Sequence, residues 1–132
     1  MADLLIGWQA YETEFLGDKV TMDLLPLKND TYRIVSPYMK KYESNEEITA
    51  ACLEMQGKTL PIIERHVRNI KGVTVNGEPP TPEMLSQEVN LAMLTQDIVQ
   101  ELVVRSLLTK GEVKNLPEPS GQQTKAEDTQ QA

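Results

Sequence analysis

The chain has 132 residues, 39% of them apolar and 25% charged, with thirteen Lys and Arg against twenty Asp and Glu for a formal charge of −7. That size allows one hydrophobic core, and the acidic balance argues against nonspecific attraction to nucleic acid or anionic membrane. One Cys (Cys52) and one His (His66) exclude an internal disulfide and the usual Cys/His zinc sites, so neither a metal nor another cofactor is expected. The start, Met1 to Ile6, has no basic segment before its short apolar run, and no stretch approaches the length of a membrane span. A cytoplasmic protein is the expectation.

Composition changes along the chain. All six aromatics (Trp8, Tyr11, Phe15, Tyr32, Tyr38, Tyr42) precede residue 43. Residues 28–72 carry eight bases and six acids, while the segments on either side are acidic. From Pro117 onward the sequence is polar and Gln-rich, too poor in apolar surface to offset its ordering entropy. The composition therefore predicts one domain over 1–115 and a disordered tail over 116–132.

In chain order, residues 7–15 put Tyr11, Thr13 and Phe15 on one face, Leu16-Gly17-Asp18-Lys19 offers turn chemistry, and Val20–Leu24 alternates again. This predicts a β-hairpin ended by Pro26. Asp30 is an expected N-cap for a helix over residues 31–42, restarted at Ser36-Pro37. Ser44 and Glu47 have capping-box spacing, followed by Ile48, Ala51, Cys52 and Met55 on one helical face. Leu60, Ile63, Val67 and Ile70 predict a further helix stopping at Gly72. Val73-Thr74-Val75 enters an Asn76-Gly77 turn, with Pro79-Pro80 blocking a long return strand.

Thr81-Pro82 then opens the longest expected helix, running to about Thr109. Met84, Leu85, Val89, Leu91, Ala92, Ile98, Val99, Leu102, Val103 and Leu107 fill nearly half its circumference, and Met93, Leu94, Val104 and Leu108 lie on the other half. These last four form a candidate partner-binding stripe, and burial on two sides makes self-association credible. The fold class expected is α+β, mostly α: an N-terminal hairpin, then a small helical bundle.

Catalytic patterns are missing. Cys52 sits on an apolar helix face and reads as a small core residue. His66 reads as a partly exposed structural histidine, and the scattered glycines form no phosphate loop. Arg65, Arg68 and Lys71 at i, i+3, i+6, with Lys58 nearby, make one candidate basic patch; a solvated helix face is the plainer reading. An enzyme is not expected. A binding or assembly role is left.

The layout of hairpin, helices and polar tail resembles the tail assembly chaperones of long-tailed, lambda-like bacteriophages and related prophages. Val73-Thr74-Val75-Asn76-Gly77-Glu78-Pro79-Pro80-Thr81-Pro82 is similar to the link before the last long helix in such proteins, and Ser106-Leu107-Leu108-Thr109-Lys110-Gly111-Glu112-Val113-Lys114-Asn115 to their ending. The resemblance spans about residues 7–115. It implies a chaperone in the bacterial host cytoplasm, absent from the mature virion, that binds the tape measure protein and recruits tail tube subunits. In many members a frameshift also yields a longer product whose extra domain binds the tube protein. Two other readings stay open: a structural or connector component kept in the particle, and a small nucleic-acid-binding regulator using the basic patch.

Overall fold

In a computed structural model, residues 6–107 are described. The first two strands, β1 (Gln9–Phe15) and β2 (Asp18–Leu24), form the expected antiparallel hairpin. Its tip is Leu16-Gly17, both with positive φ (53° and 85°), the backbone that matches the twist of paired strands. Tyr11, Val20, Met22 and Leu24 point to one side and are buried.

Helix α1 (Asn29–Val35) begins two residues before the expected start, because Lys28 is the cap. The Thr31 hydroxyl oxygen accepts from the Lys28 N–H at 3.0 Å, and Asp30 sits inside the first turn. A single 3-10 turn over Ser36–Tyr38 follows, with Pro37 in it, and helical structure stops there rather than at Tyr42. Helix α2 (Asn45–Gln56) starts where its capping signal lies. The Ser44 side chain accepts from the Glu47 N–H, while the Glu47 carboxylate reaches one residue further back, to the N–H of Glu43. Of the apolar face expected on α2, Met55 is buried, Ala51 and Cys52 are half-buried, and Ile48 is exposed.

The helix expected from Leu60 to Gly72 is replaced by two elements. Helix α3 (Leu60–His66) ends at Val67, where the backbone turns extended and continues as β3 (Val67–Lys71). Strand β3 pairs antiparallel with β2, Leu24 opposite Val67 and Asp23 opposite Arg68, giving a three-stranded sheet in the order β1-β2-β3. Helical spacing and β-branched residues coincide in this segment, and pairing with the open edge of β2 decides between them. A register shift between Thr21 and Asp23, with Asn69 at φ 61°, bends the strand. Gly72 then passes so close to β2 that a Cβ there would lie 2.0 Å from the Lys19 carbonyl oxygen. Around Asn76-Gly77 only one bridge forms, Val75 with Glu78, as the two prolines require.

The long final helix is also divided. Helix α4 (Pro82–Gln87) starts at its Thr81 cap, breaks at Glu88 (φ −86°, ψ 120°), passes a 3-10 turn over Val89–Leu91, and resumes as α5 (Ala92–Leu107), which reaches the last described residue. The break is supplied with hydrogen-bond partners. Gln56, buried at the end of α2, donates to the carbonyls of Leu85 (3.0 Å) and Glu88 (2.7 Å), and the Thr95 hydroxyl donates to Leu85 as well. Carbonyls freed from the helical ladder thus stay satisfied inside the core. One apolar cluster joins the sheet residues Val20, Met22 and Leu24 with Ile62 and Ile63 of α3 and Ile98 and Leu102 of α5. Residues 108–132, including the expected end of the long helix and the expected disordered tail, lie outside the described residues.

Candidate partner-binding face

Helix α5 packs against α2 and α4 and is tied to β1 by side-chain hydrogen bonds, and its two faces differ. Leu94, Thr95, Ile98, Val99, Leu102 and Val103 are buried. Leu94 therefore belongs to the core, at 1% exposure, and not to the outer stripe expected for it. The outer face consists of Met93 (70% exposed), Gln96, Gln100, Val104 (38%) and Leu107 (56%). Leu108 lies outside the described residues. Leu107 was expected on the buried side and is exposed, as is Val89 in the turn before the helix. At ~100° per residue, Leu94 stands about 100° from Met93, far enough round to change sides.

Polar contacts fix the orientation of this face. The Tyr11 hydroxyl donates to the Asp97 carboxylate at 3.1 Å, and the Thr13 hydroxyl donates to the same oxygen. Burial pushes the Tyr11 phenol up, with the nearby Asp97 and Glu101 carboxylates adding to the shift. It therefore stays a neutral donor. Arg105 pairs with Glu101 at 2.6 Å, donates to the Ala10 carbonyl at 3.2 Å and lies over the Tyr11 ring. Beside Arg105, the Ser106 hydroxyl accepts from the Leu27 N–H at 2.8 Å. On the α2 side, the Cys52 thiol donates to the Gln96 side-chain oxygen at 3.2 Å. Burial raises the Cys52 pKa, which keeps the thiol protonated and works against nucleophilic use.

The candidate basic patch is not a helix face. Arg65 lies on α3, whereas Arg68 and Lys71 lie on β3. Arg65 pairs with Asp30 at 2.8 Å and holds that carboxyl below its ordinary range. Arg68 lies 3.5 Å from Asp23 and stacks over the Trp8 ring at 4.0 Å. Lys58 pairs with Glu54. Arg65, Arg68 and Lys58 each meet a carboxylate, which reduces the positive charge free to track a phosphate backbone.

His66 differs from expectation too. It is 1% exposed, with Nδ1 3.0 Å from the Leu25 carbonyl and Nε2 2.9 Å from the Thr31 hydroxyl. Only a donor suits the carbonyl, so Nδ1 carries the proton, and neutral Nε2 then accepts from the Thr31 hydroxyl, which also lies within donating distance of the Lys28 carbonyl at 3.1 Å. Burial lowers the pKa of the ring, helped by the adjacent Arg65 charge and opposed by the Leu25 contact and Asp30. A histidine one position off an apolar stripe looks peripheral on a continuous helix. Here the strand that begins at Val67 turns it inward.

Two members of the outer face, Gln96 and Gln100, were not singled out from sequence, though their spacing from Met93 and Val104 carries the signal. Among the described residues no group of three or more His, Cys, Asp or Glu side chains could hold a metal ion, and no helix is long and apolar enough to cross a membrane. Comparison of the chain with protein-family models, with curated proteins and with solved structures finds no match in any of the three.

Proposed function

We propose that the chain is a tail assembly chaperone of a long-tailed phage or prophage, which binds apolar helical segments of the tape measure protein and brings tail tube subunits to them. The observation that supports this reading best is the neutral outer face of α5, where Met93, Val104 and Leu107 stand open around Gln96 and Gln100. An amphipathic helix laid along such a face is the helix-in-groove mode of recognition. The acidic surface elsewhere suits a protein that must stay soluble while it holds an insoluble client.

Coexpression tests the proposal directly. An isolated tape measure segment, insoluble alone, is expected in the soluble fraction as a complex with this chain. Met93→Lys combined with Val104→Lys is expected to abolish that rescue while leaving the thermal melt nearly unchanged, since both side chains are exposed. A segment that stays insoluble beside well-folded wild-type chain would sink the reading. Retention of the chain in purified particles, measured by mass spectrometry, would instead favour a connector. The nucleic-acid reading has less behind it, because Arg65 and Arg68 are committed to Asp30 and Asp23.

A further inference from the structure

The hairpin has one edge that the fold leaves open. Its two-residue tip makes Phe15 and Asp18 a hydrogen-bonded pair, so the ladder to β2 uses the N–H and carbonyl groups of Gln9, Tyr11, Thr13 and Phe15. Those of Ala10, Glu12 and Glu14 point the other way. The Arg105 guanidinium, which donates to the Ala10 carbonyl at 3.2 Å, marks that direction. Further along, the outward N–H and carbonyl groups of Glu12 and Glu14 make no hydrogen bond among the described residues. The edge of β1 is thus closed by a cation at the Ala10 end and open from Tyr11 to the tip, a template for one more strand.

We propose that this edge takes a short, extended, basic segment of a partner protein as an added strand. The bonds to Glu12 and Glu14 supply affinity, and the side chains beside them choose the occupant. Glu12 and Glu14 share the solvent face of β1. Glu12 meets Lys19 of β2 at 3.7 Å, and Glu14 has no cation partner among the described residues. On the inner face, the Tyr11 and Thr13 hydroxyls both donate to Oδ2 of Asp97, while its Oδ1 accepts nothing among the described residues. Directly opposite residues of an antiparallel pair carry their side chains on the same face, with Cβ atoms about 5 Å apart. Lys or Arg opposite Glu12 and Glu14 therefore meets a carboxylate, and a hydroxyl-bearing residue between them comes beside Thr13, within reach of Asp97. Arg105 already shows the chemistry, as a cation held between an edge carbonyl and the Glu101 carboxylate at 2.6 Å. A second copy of β1 is a poor occupant, because it would set Glu12 and Glu14 against the same two residues.

None of the groups used belongs to the outer face of α5, so the inference does not rest on the phage reading. The probe is a capped heptapeptide of alternating Lys and Thr, with the Glu-Thr peptide as its counterpart. Amide exchange in the full chain, followed by NMR, is expected to be fast at Glu12 and Glu14 and slow at Tyr11 and Thr13. The Lys-Thr peptide is expected to slow exchange at Glu12 and Glu14, and the Glu-Thr peptide to change neither. Glu14→Gln removes the charge but keeps the donor, and is expected to weaken binding of the Lys-Thr peptide about two- to fivefold. Glu14→Pro removes the charge and the outward N–H together, and is expected to weaken it at least ~tenfold. Since that N–H lies outside the ladder, its thermal melt should stay near that of Glu14→Gln. Slow exchange at Glu12 and Glu14 before any peptide is added overturns the proposal, because the edge is then already covered. So does a Lys-Thr peptide that binds while both amides exchange as fast as before, since that is charge attraction alone. Binding at the edge without rescue of the tape measure segment counts against the chaperone reading only, and rescue without binding at the edge counts against this one only.

Discussion

His66 shows how one residue ties three segments together. Its ring connects α3 to the Leu25 carbonyl and to Thr31 of α1, and it does so as a neutral group. Because burial sets its folded pKa below the ordinary 6.5, the unfolded chain takes up the proton first as the pH falls. The stability that depends on neutral His66 is therefore complete above about pH 6.5 and declines as the pH drops from there through the folded value. Urea unfolding between neutral and mildly acid pH is expected to show this decline, with a slope approaching about 1.4 kcal/mol per pH unit at most. His66→Gln, which keeps a donor and an acceptor but cannot titrate, is expected to lose more stability at neutral pH than at acid pH, so its profile is flatter. A wild-type profile as flat as the variant's would show that the ring titrates freely in the fold. Leu16 is the opposite kind of residue, touching little and costing something. It is 86% exposed and holds φ at 53°, a backbone region in which L side chains crowd the following carbonyl. Leu16→Asn is expected to stabilise the protein by about 1 kcal/mol in chemical denaturation, since Asn-Gly is the preferred pair for this turn.

Elements with a local signal are legible in the sequence, and elements decided by distant contacts are not. The hairpin, the Ser44 cap, the Asn76-Gly77 turn and the Thr81-Pro82 start all follow from a few adjacent residues, and the structure has each of them. β3 could not be read this way. Leu60, Ile63, Val67 and Ile70 keep perfect helical spacing, and the outcome is set by the unpaired edge of β2, more than forty residues earlier in the chain. The break between α4 and α5 was hidden for the same reason. Val89 and Asn90 are poor helix formers, but what makes a break affordable is the buried Gln56 amide delivered by α2. Gln56→Leu keeps the volume and removes the donor, leaving the Glu88 carbonyl with the Leu91 N–H alone and the Leu85 carbonyl with the Thr95 hydroxyl alone. It is expected to cost about 0.5–1.5 kcal/mol, with faster amide exchange over residues 88–92 than in the body of α5. The candidate site was half legible. Periodicity placed Met93 and Val104 outward correctly, and it missed that Leu94 falls on the boundary, where the packing of α4 and α5 carries it inside.

At the scale of the whole molecule, acidic charge and the open neutral face of α5 set a part of the described surface that repels beside a part that can join. The anchors from β1 to α5 hold that face rigidly outward: Tyr11 and Thr13 on Asp97, and Ala10 on Arg105. A rigid face loses little conformational entropy on docking, which favours a helical occupant.

The contact between Tyr11 and Asp97 spans 86 residues. The ribosome makes the hairpin long before the helix that locks it. For most of synthesis Val20, Met22 and Leu24 have no finished core to enter, and β2 offers its free edge to any other strand nearby. A nascent chain stopped before residue 92 thus holds its most aggregation-prone surface uncovered. For this protein, the rate at which residues 92–107 are translated bears directly on how much of it is recovered folded.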